Sequence, residues 1–291
     1  MVVRTEQLSK RYGHTIALDG LDLEIEAGEV FGYLGPNGAG KSTTIGLLLG
    51  LIRPSSGRAQ IFGLDAWRDA PAIHRRLAYV PAEANLWPSL TGAEALQFLG
   101  EIHGSVDAAY RDELVERFEL APDKKIRAYS HGNRQKVLLI AAFAARADLM
   151  LLDEPTTGLD PLMEQVFRDL VIEGRNRGQT VVLSSHVLSE VEAVCDRVAM
   201  LRAGRIIEIG HLDALRSMAA LRVHAKLVSR VPDLSGIAGV SNVVVDGQTL
   251  DCDVAGSMQP LVSALVGAGV EQMTTREVSL EELFVSHYGD A

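Results

Sequence analysis

Residues 35–43 read Gly35-Pro36-Asn37-Gly38-Ala39-Gly40-Lys41-Ser42-Thr43 and fit the pattern G-x-x-x-x-G-K-[ST] in full. The stretch before them, Val30-Phe31-Gly32-Tyr33-Leu34, is nearly all apolar, as in a strand buried on both faces. After them a helix is expected over about residues 41 to 51. Glycines let the backbone curl so that successive N–H groups face phosphate oxygens. The helix N-terminus adds its dipole and its free N–H groups. Lys41 supplies a point charge for the β and γ phosphates. Ser42 offers a hydroxyl to Mg2+, a hard ion that takes oxygen ligands. The expected fold class is α/β, a P-loop nucleoside-triphosphatase.

A second element supports this reading. Leu149-Met150-Leu151-Leu152 is another buried strand and ends on Asp153-Glu154. Carboxylates at the C-terminal ends of parallel strands lie where open α/β sheets place their ligands. Asp153 is expected to hold Mg2+ through water, and Glu154 to polarise the attacking water. Val181-Val182-Leu183 forms a further buried strand that ends near His186.

Composition bounds the rest. The chain has 291 residues, about two domains at roughly 150 residues each. Hydrophobic residues are 47% and charged residues 23%, which excludes a disordered, collagen-like or coiled-coil protein. Lys and Arg number 28 against 38 Asp and Glu, a net charge of −10, which disfavours nucleic acid as a partner. The basic clusters His74-Arg75-Arg76 and Lys124-Lys125-Ile126-Arg127 read as solvated faces. Cys195 and Cys252 are isolated in sequence, form no metal-ligand spacing, and read as small core residues. No secretory signal is read at the N-terminus. The longest apolar run, from 137 to 145, is too short for a bilayer, which needs about 20 residues.

Along the chain, Leu21, Leu23 and Ile25 alternate with acidic residues in a half-buried strand, and Ala27-Gly28-Glu29 turns the chain. A strand resumes at 58–62, residues 85–147 read mainly as helix, and 197–210 reads as a hairpin around Ala203-Gly204. Asp160-Pro161 opens a helix to about Asn176 as N-cap and first position. The character changes near residue 220. Strands around Val243-Val244-Val245 and 250–254 flank an Asp246-Gly247 turn, and a helix is expected over about 259–268. Ser279 with Glu282 reads as the capping box of a last helix. The expected domains are thus 1–218 and a small α/β accessory domain at 219–291.

Three further motifs narrow the class. Tyr129-Ser130-His131-Gly132-Asn133-Arg134-Gln135 precedes the Asp-Glu strand, Pro155-Thr156-Thr157-Gly158-Leu159-Asp160 follows it, and His186 closes the next strand. This order, from about residue 12 to 209, resembles the ATP-binding cassette (ABC) family. The resemblance implies a RecA-like core with an antiparallel β subdomain and a helical subdomain at about 85–147. It implies that Tyr12, placed before the first strands, stacks on adenine, a core tyrosine being the alternative. It implies that Ser130, His131, Gly132 and Asn133 close over ATP held by the loop 35–43 of a second cassette. It places Asp160 at the contact between cassettes and His186 on the γ-phosphate, orienting Glu154. ATP and Mg2+ are the implied cofactors. A second copy and a separate membrane permease are the implied partners, with the chain peripheral on the cytoplasmic face of the membrane.

The chain departs from the family in two places. Tyr129, His131 and Asn133 replace the leucine, first glycine and glutamine of Leu-Ser-Gly-Gly-Gln, while Ser130 and Gly132 are kept. In Tyr79-Val80-Pro81-Ala82-Glu83, Ala82 stands where the family carries glutamine. Either Glu83 shifts in to supply an oxygen or the site works without that ligand. Within the family, Asp19-Gly20-Leu21, residues 30–35 and residues 129–133 look most like ATPases of ABC-2-type drug and antibiotic exporters, and Ser279-Leu280-Glu281-Glu282-Leu283-Phe284 resembles the ending of their small extra domain. The alternative is a soluble ABC ATPase acting on a nucleic-acid or ribosomal machine. The segment 84–91, with Trp87, is the expected permease contact or, equally, a piece of core.

Overall fold

The structure is a computed structural model and describes residues 1–104, 106–212 and 221–277. The chain divides into two compact units, Met1–Gly210 and His211–Ala291. The capping box at Ser279 and the ending at 279–284 lie outside the described residues.

Two sheets build the first unit. Strands β1 (Val3–Tyr12) and β2 (Thr15–Ile25) pair antiparallel, while β3 (Val30–Leu34) belongs to the other sheet. Strands β4 (Ser56–Ile61) and β5 (Leu64–Asp65) complete the antiparallel sheet in the order β2-β1-β4-β5. Strands β6 (Leu77–Val80), β7 (Leu149–Asp153), β8 (Thr180–Ser185), β9 (Arg197–Arg202) and β10 (Arg205–His211) join β3 in a six-stranded sheet, ordered β10-β9-β3-β8-β7-β6. All five residues of β3 and of β7, and all six of β8, are buried. A strand covered on both faces reads as a near-continuous apolar run, which is why these were readable.

Parallel register carries the chemistry to one edge. Leu34 of β3 lies opposite Ser185 of β8, and Ser184 lies opposite Asp153 of β7. The carboxyl ends of β3, β7 and β8 therefore finish level, with the glycine-rich loop, Glu154 and His186 leaving from the same side. Strand β1, which carries Tyr12 at its end, precedes β2, so Tyr12 closes the first strand instead of preceding it.

The helices follow from their caps. Helix α1 (Lys41–Leu48) leaves the glycine loop, and α2 (Ala70–His74) precedes β6. Helices α3 (Gly92–His103), α4 (Ala108–Arg117) and α5 (His131–Ala144) form the helical insert, with a 3-10 turn at Ile126–Ala128. Thr91 and Glu94 make a reciprocal capping box at α3, and Ser130 caps α5. Helix α6 (Pro161–Asn176) starts on the Asp160 cap, whose Oδ1 accepts from the Met163 N–H at 3.1 Å. Helix α7 (Leu188–Val194) follows His186.

The second unit is an antiparallel sheet ordered β12-β13-β11-β14, made of β11 (Leu221–Leu227), β12 (Val240–Asp246), β13 (Thr249–Val254) and β14 (Val270–Glu277). Helix α8 (Gln259–Val266) covers one face. Val223, Ala225, Leu250, Cys252, Leu261 and Leu265 form its own core. Alternation along β11 sends Arg222, His224 and Lys226 to the other face, where Arg222 pairs with Asp253 at 2.8 Å and His224 with Asp251 at 2.9 Å.

Candidate functional site

The loop 35–43 is curled by its own carbonyls and by the chain beneath it. The Ala39 N–H donates to the Pro36 carbonyl at 3.1 Å, and the Gly204 N–H of the β9–β10 turn donates to the Ala39 carbonyl at 2.9 Å. Gly40 stands at φ 113°, and a Cβ there would lie 2.8 Å from the Ala17 carbonyl, so a side chain is excluded twice over. Asn37 and Gly38 are exposed at the tip, Gly35 and Ala39 are buried, and Ser42 is exposed in the first turn of α1. Thr43 is half-buried, and Thr44 bonds back to the Gly40 carbonyl at 3.1 Å.

Lys41 is 6% exposed and has three acceptors around its ammonium. Nζ donates to the Gly35 carbonyl at 2.6 Å and to the Pro36 carbonyl at 3.5 Å, and it pairs with Glu154 Oε1 at 3.2 Å. The other oxygen of Glu154, Oε2, lies 2.6 Å from His186 Nδ1. Lys41, Glu154 and His186 thus form a continuous polar chain across the ends of β3, β7 and β8. Glu154 sits at φ 48°, an uncommon backbone for a residue with a side chain. Its N–H donates to the Ser184 carbonyl at 3.0 Å, and its own carbonyl accepts from Thr157 at 3.2 Å. These bonds hold the carboxylate over the loop. A buried cation is tolerable here because carbonyls and a carboxylate replace its water.

Asp153 is 3% exposed and accepts a hydrogen bond from the Ser184 hydroxyl. Burial, and then the negative charge of Asp153, push the Tyr79 phenol up to about 12. The donor set fits Mg2+: the Ser42 hydroxyl and the Asp153 carboxylate are both hard oxygens. Among the described residues no group of three or more His, Cys, Asp or Glu could hold a metal unaided. Mg2+ takes one or two protein oxygens and completes its shell with water and phosphate.

A second cluster forms at the start of α5. Ser130 is exposed, and its Oγ accepts from the Asn133 N–H at 3.2 Å, leaving its proton to donate. His131 is exposed and Gly132 is buried. A Cβ on Gly132 would lie 2.2 Å from the Gly158 carbonyl, so this glycine is required by the chain that follows Glu154. Gln135, fully buried, donates Nε2 to the Pro155 carbonyl at 3.1 Å. The signature segment is therefore bound to the loop between Glu154 and Asp160 in its own chain. Asp160 is exposed as the α6 cap. Tyr129 is 4% exposed, and its hydroxyl donates to the Ala121 carbonyl at 2.6 Å, a bond unavailable to leucine.

Tyr12 and Glu83 both lie at the surface. Tyr12 is 48% exposed with Lys10 Nζ 4.8 Å from its ring centroid, so it is not a core tyrosine. Glu83 is exposed and accepts from Asn85 Nδ2 at 3.4 Å. Sequence reasoning missed Glu190, Ser185 and Thr156, which lace the loops together. Ser184-Ser185 is a hydroxyl pair ending an apolar strand, and Glu190 lies four residues after His186; that pattern was the available signal.

Comparison with known proteins fits this geometry. The ABC transporter family model matches residues 18–157. The chain is 37% identical to the daunorubicin resistance ATP-binding protein DrrA3 of Streptomyces coeruleorubidus, over 99% of this chain and 96% of that protein. This chain belongs to the ABC transporter family. It is 31% identical to the Nod factor export ATP-binding protein I of Cupriavidus metallidurans, over 99% of this chain and 97% of that protein. Among solved structures it is similar to the dimeric ATP-binding cassette MJ0796 bound to ADP and Pi in a post-hydrolysis state. That match has a TM-score of 0.64 and 25% identity, over 72% of this chain and 98% of that one. The chain is thus an ABC-type ATPase subunit with the cassette fold. Among its described residues no helix is long and apolar enough to cross a membrane.

Proposed function

We propose that this chain hydrolyses ATP to drive a separate membrane permease, closing as a cassette dimer around two ATP molecules. The observation that carries the reading is the chain Lys41–Glu154–His186 at the level ends of three parallel strands. Lys41 binds the β and γ phosphates while the N–H groups of 35–43 cradle them. Its move to phosphate releases Glu154 Oε1 from the ion pair, so substrate entry itself frees the base. Glu154 then orients water against the γ-phosphorus and takes its proton, with His186 steadying the other oxygen. Ser42 and Asp153 would hold Mg2+, which would neutralise phosphate charge when bound.

Each half-site is completed by the second copy. The exposed Ser130 hydroxyl at the start of α5 donates to the γ-phosphate across the interface, with the backbone near Gly132 beside it. Asp160 lies at the contact between cassettes, and the half-exposed Tyr12 ring stacks on adenine. ATP binding closes the pair and hydrolysis reopens it. The names of the relatives, a drug-resistance protein and a Nod factor exporter, support a drug, antibiotic or lipid-like cargo.

The permease face of this reading is an apolar groove of about 430 Å3 between Leu49 and Leu51 after α1, α2 and β6 on one side and α3 and α5 on the other. Leu51 and Ile102 at its rim are 68% and 66% exposed. Trp87, in the neighbouring segment, is 45% exposed and packs edge-on against Phe98 at 4.8 Å, which supports a surface role more than a core one.

The test is a pair of substitutions assayed for MgATP binding and phosphate release. Lys41→Ala should weaken binding by about 10- to 100-fold, the worth of charge-assisted hydrogen bonds. Glu154→Gln should keep binding and lower turnover by about 10²- to 10⁴-fold. Undiminished turnover in Glu154→Gln would remove Glu154 from the chemistry and the reading with it.

A further inference from the structure

We infer that Glu190 is a positioning residue for hydrolysis: its carboxylate ties the loop carrying Glu154 to the loop carrying His186 and so sets the geometry between them. Each of its oxygens takes one hydroxyl. Oε1 accepts from Thr156 Oγ1 at 2.5 Å, and Oε2 accepts from Ser185 Oγ at 2.7 Å. Thr156 lies two residues after Glu154, and Ser185 lies immediately before His186. Thr156 and Ser185 are buried residues, at 6% and 0% exposure, and buried hydroxyls are as a rule hydrogen-bonded.

Ser185 makes the linkage rigid on both sides of His186. Its proton goes to Glu190, while its oxygen also accepts from the Val187 N–H at 2.9 Å. The backbone flanking His186 is therefore pinned to the same carboxylate that holds Thr156. Two nearby bonds already join the ends of β7 and β8: the Glu154 N–H to the Ser184 carbonyl, and the Ser184 hydroxyl to Asp153. Those bonds fix the strand ends themselves. Glu190 fixes what lies beyond them, where the chain turns at φ 48° and the imidazole is half exposed.

Glu190 reaches both loops because α7 begins directly after His186 and places its third residue back over the strand ends. It touches none of Lys41, Glu154 or His186 through a hydrogen bond, so its effect passes through Thr156 and Ser185. Residues that orient a reacting side chain in this way govern turnover more than binding. Lys41 and the loop 35–43 hold the nucleotide independently of it.

The inference rests on Glu154 and His186 acting as proposed, and the experiment separates the two. Full-length Glu190→Ala and Glu190→Gln chains are assayed for MgATP affinity, steady-state kcat and KM, and thermal unfolding, beside Glu154→Gln and His186→Ala. In Glu190→Ala, kcat should fall about 10- to 100-fold, with MgATP affinity within about twofold of wild type. Glu190→Gln keeps one acceptor oxygen and should retain part of the rate. In a His186→Ala background, Glu190→Ala should lower the residual rate by much less than it does alone, because the group it positions is gone. An unchanged kcat in Glu190→Ala overturns the inference, as does the same fold-loss in both backgrounds. If Glu190→Ala does not fold, Glu190→Gln decides: a wild-type kcat in that variant overturns the proposal. Full turnover in Glu154→Gln is a different failure, of the base assignment, and is read from that variant alone.

Discussion

At the scale of single residues, steric demands explain choices that chemistry alone does not. Gly132 reads as a residue kept for phosphate, yet the Gly158 carbonyl lies where its Cβ would stand. Gly132→Ala should therefore shift the start of α5 and cost about 1–3 kcal/mol, the usual penalty for forcing extra volume into packed structure. Chemical denaturation measures it; an unchanged midpoint would mean the contact relaxes freely. Tyr129 follows the same logic. Burying a phenol needs a partner, and the Ala121 carbonyl provides one, so Tyr129→Phe should lose about 1 kcal/mol in the same assay while leaving MgATP binding intact. The proposed reacting groups were legible in the sequence: Lys41 from the glycine motif at 35–43, Asp153 and Glu154 because they end an apolar run, and His186 from its place in the family's order of motifs. Their supports were not. Glu190 earns its place through two hydroxyls distant from it in function, and no spacing rule pairs Thr156 with a residue 34 positions later.

At the scale of elements, legibility followed burial. Strands β3, β7 and β8 are buried along their whole length because both faces are covered, and each was found from its apolar run, at 30–34, 149–152 and 181–183. Strand β1 was missed: its register with β2 shifts after Thr5 and again near Leu8 and Lys10, and Gln7 stands at φ 46°, so the period of two is broken. Strand β6 was missed because it has four residues, Leu77–Val80, between Arg76 and Pro81. Yet β6 forms one wall of the apolar groove, with α3 and α5 opposite. If the permease seats there, Ile102→Asp should abolish co-purification with a polytopic membrane protein, since a carboxylate in a dry contact costs several kcal/mol. Ile102 is 66% exposed in the chain alone, so MgATP binding and folding should be unaffected. Retained co-purification would move the docking site elsewhere.

At the scale of the molecule, the catalytic reading depends on residues of the first unit alone. Every group in the Lys41–Glu154–His186 chain, its Glu190 brace and the Asp153–Ser184 pair lies within Met1–Gly210. Each unit has a separate buried cluster: Leu21, Phe31, Tyr33, Leu149 and Val182 in one, Val223, Ala225, Leu250 and Leu261 in the other. The sequence reading placed the boundary at 218/219, and the division into compact units falls at 210/211. A hydrophobic core of its own is what lets a domain fold alone. A chain ending at residue 211 should therefore unfold cooperatively and bind MgATP within about threefold of the full chain, because no phosphate-binding group is removed. The two variables to measure are the nucleotide dissociation constant and the unfolding midpoint. Retained affinity with a lower midpoint would assign the second unit to stability. Lost affinity with an intact midpoint would show that it acts on the nucleotide site.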